Sequence, residues 1–194
     1  GTPDFAPVMS EYLDSQPGLV TLYRAAREAT RIPITLPGGK KLSLGAGGQN
    51  VLIEAIIYDF CGRYVHDAEV LYIGDADSKF AHFEDKRLAE LGITVNQHGK
   101  MPDLVVYQPS TNWLLLMEAV GSHGPVDAMR RRDLSVLFGR STADLVFVSC
   151  FPDRATMRKY LVDLAWETEA WVADEPTHMI HMNGGKLLGP YRSN

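Results

Sequence analysis

The chain of 194 residues has few cysteines and no long apolar run, and each shortage excludes a class of protein. Its two cysteines, Cys61 and Cys150, lie in apolar stretches, which predicts reduced core residues and argues against a disulfide framework or a cysteine-bound metal. No apolar run is long enough to span a bilayer, and there is no basic and apolar leader. We therefore expect a cytoplasmic protein without a membrane partner.

The chain also lacks a large excess of positive charge. Its formal net charge of −5 argues against general electrostatic attraction to nucleic acid. The distribution is uneven, because residues 127–160 carry seven basic and four acidic side chains, including the consecutive Arg130, Arg131 and Arg132. We expect a local basic face there on an acidic protein.

Internal repeats, low-complexity segments and clear linkers are absent as well, and the length predicts one domain, or one domain with an appendage. The hydrophobic share of 45% is close to that of ordinary soluble proteins and is sufficient for a sizeable core. Residues 1–18 are polar and contain proline, and we expect little structure in them. Residues 19–194 are expected to form the folded domain.

Apolar periodicity predicts alternating helices and strands. Helices are predicted at 19–30, after Asn50 as a possible cap, at 88–91 before Gly92, at 127–138 and at 154–166. Strands are predicted at 32–36, 41–44, 70–73, 93–95, 104–107, 113–117, 145–150 and 169–173. This order predicts an α/β domain with a small mixed central sheet flanked by helices.

The most informative stretch is the pair of apolar runs at 104–107 and 113–117, which are joined by a segment rich in Pro, Ser and Asn. This pattern predicts an antiparallel hairpin. Asp103 precedes the first strand and Glu118 ends the second, and in an antiparallel pair these two ends lie side by side. Two close carboxylates repel unless a cation lies between them, so the hairpin indicates a metal site.

Further polar residues reach the same edge if strand 70–73 pairs antiparallel with the hairpin. That pairing would bring Asp75 there as a further metal ligand and Lys79 as a cation. Lys100 lies just before the hairpin, and Glu54 approaches from the preceding helix. Hard oxygen ligands suit Mg²⁺ or Mn²⁺ better than zinc, and carboxylate-bound Mg²⁺ beside a lysine suits the hydrolysis of a phosphodiester.

Several sequence motifs surround this pair. Pro102-Asp103 followed by Glu118-Ala119-Val120 resembles the PD-(D/E)XK nuclease pattern. A wider series, from about residue 19 to residue 191, resembles the BsuBI/PstI family of type II restriction endonucleases. Its segments are Leu42-Ser43, Gln49-Asn50, residues 71–75 with Lys79, and residues 98–103, 118–126, 151–153, 165–169 and 178–184.

The resemblance implies a restriction-endonuclease-like αβββαβ core and Mg²⁺-dependent cleavage of double-stranded DNA at a palindromic site, with Mn²⁺ able to substitute. It also implies a homodimer, and a cognate DNA methyltransferase that forms no stable complex with it. Asp103 and Glu118 would hold the metal, with Asp75 as a further ligand. The chain resembles only the C-terminal catalytic part of the family, whose members carry an additional N-terminal helical region.

One position departs from the nuclease pattern. The lysine expected two residues after Glu118 is Val120 here. The resemblance implies that the family carries the same substitution. The catalytic cation is then expected to be Lys79 or Lys100. Candidate DNA contacts are Ser122, His123, Arg130 and Arg131, and candidate supporting residues around the site are Glu54 and His98.

Three alternative interpretations compete with an active nuclease. The first is a catalytically inactive nuclease-fold module that only binds DNA. The second is a nucleotide site at the glycine-rich turn 45–48, which lacks the last glycine of a dinucleotide fingerprint. The third is a zinc site at His178 and His181, for which no third ligand has a suitable spacing, so a structural role is expected.

Overall fold

The computed structural model describes residues 30–75, 80–94, 100–121 and 124–183, together with Gly18. The predicted helix at 19–30 and the N-terminal segment 1–18 lie outside the described residues, apart from Gly18 and Thr30. In chain order the elements are β1 (Ile32–Thr35), β2 (Lys41–Leu44), α1 (Gly48–Ala55), a π-helical turn (Ile56–Phe60), α2 (Cys61–Tyr64), β3 (Glu69–Ile73), β4 (His82–Phe83), α3 (Asp85–Glu90), β5 (Leu104–Gln108), β6 (Trp113–Ala119), α4 (Ala128–Leu137), β7 (Asp144–Phe151), α5 (Arg154–Tyr160), β8 (Thr168–Val172) and β9 (Met179–Met182).

The central sheet has seven strands in the order β4-β3-β5-β6-β7-β8-β9. Strands β3, β5 and β6 are antiparallel neighbours, β6, β7 and β8 are parallel, and β4 and β9 add antiparallel edges. The predicted hairpin and its antiparallel pairing with β3 are confirmed, as is the mixed sheet. The succession α1, β3, β5, β6, α4, β7 is the expected αβββαβ core.

Helices cover both faces of this sheet. On one face α1 and the π-helical turn bury Leu52, Ile53 and Ile56 against β3, β5, β6 and β7. On the other face α3 and the end of α4 bury Leu88 and Leu134 against the alternate residues of the same strands. Each fully buried aliphatic side chain contributes about 1.5–3 kcal/mol of hydrophobic free energy. The strands are therefore held from both sides, which explains the nearly continuous apolar run in β7.

The first hairpin, β1 with β2, is also confirmed, and its turn uses Gly39 at a φ of 81°. Both cysteines are buried and free, as expected, and burial raises the pKa of the Cys61 thiol to about 12. None of the helices in the described ranges has the length and apolar character needed to cross a bilayer.

Three local predictions were wrong. Asn50 is not a cap, because α1 already begins at Gly48 and Asn50 lies inside it, where its amide donates to Gly45 O and Asp75 Oδ1 at 2.9 Å. Residues 93–94, the described part of a predicted strand, are not in a strand. The last predicted helix ends at Tyr160 instead of 166, since the chain turns there and leaves Val162 exposed.

Two edge strands, β4 and β9, were missed by periodicity. Strand β4 has only two residues, and three of the four residues of β9 are exposed, so neither shows the burial alternation that predicts a strand. The predicted closure of α3 by Gly92 is confirmed. Gly92 has a φ of 81°, its N–H donates to Ala89 O, and Ile93 N–H donates to Leu88 O at 2.9 Å, which forms a Schellman cap.

We expect Gly92→Ala to destabilise the protein much more than Gly39→Ala. Both glycines have a φ of 81°, so alanine incurs the left-handed backbone cost of about 1–2 kcal/mol at each. Only at Gly92 would the new Cβ lie 2.5 Å from a backbone oxygen, that of Arg140, which forces a shift that costs a further ~1–3 kcal/mol. Urea unfolding of the two variants measures the difference, and equal midpoints would contradict it.

Candidate active site

The structure brings Asp103 and Glu118 together at the ends of neighbouring strands. The hairpin register places Leu104 opposite Met117, so the next positions outward are Asp103 and Glu118. The N–H of Ala119 donates to Asp103 Oδ2 at 2.8 Å, which ties the first carboxylate to the strand that carries the second. Strand alternation then directs both side chains to the same face of the sheet, the face that α4 covers.

A glutamine that sequence reasoning did not assign holds the other oxygen of Asp103. Gln49 Nε2 lies 2.7 Å from Asp103 Oδ1, although the two residues are 54 positions apart. Gln49 is in the first turn of α1, and packing of α1 on the sheet brings it to the strand ends. The only signal in the sequence was the Gln49-Asn50 motif at the start of a helix.

Glu118 is only 7% exposed and is paired with an arginine from α4. The Nε and Nη2 atoms of Arg130 each lie 2.7 Å from Glu118 Oε1. The same guanidinium donates to the carbonyl oxygens of Lys100 at 3.0 Å and Met101 at 2.9 Å. Arg130 was expected to contact DNA phosphate; in this structure its guanidinium is engaged by the site itself.

The electrostatic environment of Glu118 opposes its ionisation. Burial raises the pKa of Glu118 to about 8, and the negative charge of Asp103 adds to the rise, while Arg130 acts in the opposite direction. Two carboxylates in such an environment would be stabilised by a cation between them. Their hard oxygens suit Mg²⁺ or Mn²⁺, which binds through one or two carboxylates and completes its shell with water and substrate oxygens.

The position of the missing lysine has a clear structural explanation. Val120 is fully buried and packs with Phe151 and Met157 of β7 and α5. A lysine at this position would place its ammonium in an apolar cluster, at a high desolvation cost. This position therefore provides no cation to the carboxylate pair.

A cavity of about 620 Å³ opens over the carboxylate pair, and its lining includes Gln49, Lys100, Asp103, Glu118 and Arg130. Lys100 is exposed at its rim. Of the two predicted lysines, Lys100 thus lines the cavity over the pair. Lys79 lies outside the described residues, as do the predicted site residues His98, Ser122 and His123.

Other predicted residues do not line this cavity. Asp75 accepts a hydrogen bond from Asn50, and Glu54 is half-buried on α1 outside the lining of the cavity. Arg131 pairs with Glu167 at 2.6 Å. In the described ranges no three His, Cys, Asp or Glu side chains form a group that fits a metal ion, so Asp75 is not grouped with Asp103 and Glu118.

The two histidines near the end of the chain also take no part in a metal group within the described residues. His181 pairs across the strands with Glu169, and His178 contacts Thr177. These local contacts agree with the structural role expected for them.

Comparisons with known proteins all point to restriction endonucleases, the class that the sequence motifs resemble. The family model described as the BsuBI/PstI restriction endonuclease domain matches residues 32–185. The chain is 44% identical over 190 residues to the type II restriction enzyme BsuBI of Bacillus subtilis, covering 98% of this chain and 60% of that protein. It is 31% identical to the type II restriction enzyme AplI of Arthrospira platensis, again over 97% of this chain and 60% of the relative.

The solved structure of SdaI restriction endonuclease has a TM-score of 0.80 against this chain at 48% sequence identity. The match covers 88% of this chain and 53% of that one. The chain therefore spans about 60% of the length of the curated relatives that it matches.

We expect the stability of the metal-free protein to fall as the pH rises from about 4.5 to about 8, in part because of Glu118. Its pKa is 4.5 in an unperturbed state and about 8 in the fold, so between these values the folded state binds more protons than the unfolded state. Stability then decreases with pH in this window. The measurement is urea unfolding in EDTA across this range.

The Glu118→Gln variant has no proton to bind and should lack this part of the decrease. Glu90→Gln, which alters an exposed carboxylate on α3, should follow the parent. If Glu118→Gln and the parent gave parallel curves, Glu118 would not titrate as the geometry indicates.

Proposed function

The chain belongs to the BsuBI/PstI restriction endonuclease domain family, and from this membership we propose that it is the catalytic part of a type II restriction endonuclease. In this role it hydrolyses phosphodiester bonds of double-stranded DNA. The observation that carries the proposal is the pair of carboxylates, Asp103 and Glu118, on neighbouring strand ends under an open cavity.

We propose Mg²⁺ as the cofactor, with Mn²⁺ as a substitute, held by Asp103 and Glu118, with Asp75 as a further ligand. Bound there, the ion would polarise a phosphate oxygen and lower the pKa of water, which is the usual contribution of a metal to phosphodiester hydrolysis. Gln49 and the N–H of Ala119 hold Asp103 in place through one hydrogen bond to each carboxylate oxygen.

The charge that develops on the phosphate needs a cation besides the metal. Lys100 and Lys79 are the proposed sources, and Lys100 lines the cavity. Glu54 and His98 remain proposed supporting residues around the site.

Double-stranded DNA is the proposed substrate, contacted through phosphates by Ser122, His123 and Arg131, while Arg130 is engaged by Glu118 and the carbonyls before Asp103. Affinity from such contacts falls steeply with salt. We propose a homodimer on a palindromic site, because the symmetry of the protein then matches that of the DNA. The cognate methyltransferase would recognise the same site without a stable complex, and both would act in the cytoplasm.

Residues 19–194 are the proposed nuclease domain, with 1–18 as a poorly structured segment. Since the relatives are longer than this chain, sequence-specific cleavage is proposed for the whole protein. A nuclease-fold module that binds DNA without cutting it is the second candidate. That module would keep the fold and lack a functional lysine, and Val120 occupies the lysine position of the nuclease pattern.

We expect Asp103→Asn and Glu118→Gln each to lower plasmid cleavage in Mg²⁺ by about a thousand-fold or more. Loss of a metal ligand removes several kcal/mol of transition-state stabilisation. The measurement is the rate of plasmid cleavage at low salt, with Glu90→Gln as a matched control that removes a carboxylate far from the site.

Discrete fragments from the parent would show specificity in this chain, while unspecific nicking that both variants lose would assign specificity to the rest of the protein. Cleavage by either variant at the parental rate would rule out the carboxylate pair as the catalytic site. If neither the parent nor a version extended to the length of its relatives cuts DNA, the binding module becomes the better description.

The variants Lys100→Met and Lys79→Met test which of the two lysines is the cation that stabilises the phosphate. Removing the cation that stabilises the phosphate should lower the maximal cleavage rate by about 100- to 1000-fold with little change in DNA affinity. Single-turnover cleavage at saturating protein measures the rate. Lys86→Met, on α3, is the control, and equal rates for both site variants and the control would mean that neither lysine is the cation.

A further inference from the structure

We propose that Arg130 is a positioning residue of this site: it fastens Glu118 to the chain segment that leads into Asp103 and so holds the two carboxylates ready for a divalent cation. The role of Arg130 in catalysis rests on the proposed nuclease function. The link that Arg130 makes between β6 and the start of β5 can be tested without that function.

The geometry of the guanidinium supports this role. Nε and Nη2 converge on Glu118 Oε1, so the arginine engages a single oxygen of that carboxylate. Nη1 and Nη2 also donate to the carbonyls of Lys100 and Met101, the residues that lead through Pro102 to Asp103. One planar side chain thus joins the end of β6 to the start of β5, and its fork of donors matches this arrangement in a way that an ammonium does not.

The arginine is presented by a rigid element. Asp127 caps α4 by accepting the N–H of Arg130 at 2.6 Å, and Leu134 and Phe138, both fully buried, anchor the other end of the helix. The Arg130 side chain is itself only 19% exposed. Because its backbone, its helix and its guanidinium are all held by these contacts, the Arg130 side chain has little freedom to move to a DNA phosphate.

The next two arginines of α4, Arg131 and Arg132, do not contact the carboxylate pair in this way. Successive residues of a helix point about 100° apart, so Arg130, Arg131 and Arg132 cannot face the same partner. Arg131 turns to Glu167 and Arg132 is exposed. A run of three arginines in the sequence therefore contains one residue directed at the carboxylate pair.

The charges of the two carboxylates explain why a cationic side chain is needed beside Glu118. Asp103 and Glu118 lie at neighbouring strand ends, where two ionised carboxylates disfavour each other, and Glu118 is almost fully buried. A buried carboxylate that loses its partner is strongly destabilising, whereas a paired one is tolerated. Since Val120 lies in the core, β6 offers no cation at that position, and α4 provides Arg130 in its place.

The first test is a double-mutant cycle in EDTA, with Arg130→Gln, Glu118→Gln and the double variant. If the two side chains hold each other, the shifts of the urea midpoint will not add, and the double variant will be more stable than the sum of the single shifts predicts. Arg140→Gln removes a charge beyond the far end of α4. Its shift of the urea midpoint should add to the shift caused by Glu118→Gln. Additive shifts for Arg130 and Glu118 would overturn the proposal.

The second test measures Mn²⁺ binding to the whole chain without DNA, by electron paramagnetic resonance of the free ion. Loss of a residue that orients a metal ligand typically weakens metal affinity about 10- to 100-fold, and we expect this for Arg130→Gln but not for Arg140→Gln. Arg130→Lys keeps the charge and loses the fork, so its affinity should stay below that of the parent.

The outcomes are distinguishable. Parental Mn²⁺ affinity in Arg130→Gln, with weaker DNA binding in Ca²⁺, would make Arg130 a phosphate contact and overturn the proposal. Full affinity in Arg130→Lys would show that charge alone suffices, which also contradicts a positioning role. If Glu118→Gln binds Mn²⁺ as well as the parent, the proposed metal site fails, and the cycle in EDTA still decides whether Arg130 holds Glu118.

Discussion

The repulsion between Asp103 and Glu118 is the constraint on which the rest of this site depends. The hairpin register places the two residues at adjacent strand ends, and burial of Glu118 makes its charge more costly still. Each surrounding contact offsets that cost with a donor: the N–H of Ala119 and Gln49 for Asp103, and Arg130 for Glu118. The arrangement disfavours ionisation of both carboxylates at once, and a divalent cation between them would relieve that cost.

The fold positions this pair by bringing three distant segments to one edge of the sheet. The helix α1 packs on one face and supplies Gln49, while α4 packs on the other face and supplies Arg130. Between them, the β5–β6 hairpin carries the acids and is held by hydrogen bonds from β3 and β7 on either side. Because each contributing side chain belongs to a helix or strand with a buried face, its direction is set by packing of the core, and catalytic geometry benefits from such rigid supports.

Predictions succeeded where a local pattern reports directly on structure. The hairpin was predictable from two β-rich runs and their turn, and the end of α3 from Gly92, since both depend on residues close in sequence. They failed where exposure or long-range contacts decided the outcome. Periodicity extended the last helix past Tyr160, where the chain instead turns and exposes Val162, and it overlooked the edge strands, which bury few side chains.

The amino-acid order by itself determined the α/β class, the hairpin and the proximity of Asp103 to Glu118, because strand pairing and turn chemistry are local and follow a period of two. It also carried the motifs that place the chain in its family. Only the tertiary structure decided which polar side chains face that pair. Gln49 reaches Asp103 across 54 residues, and Arg130 rather than Arg131 reaches Glu118. Both outcomes depend on how each helix is rotated against the sheet, and a rotation of one residue, about 100°, would direct a different side chain into the site.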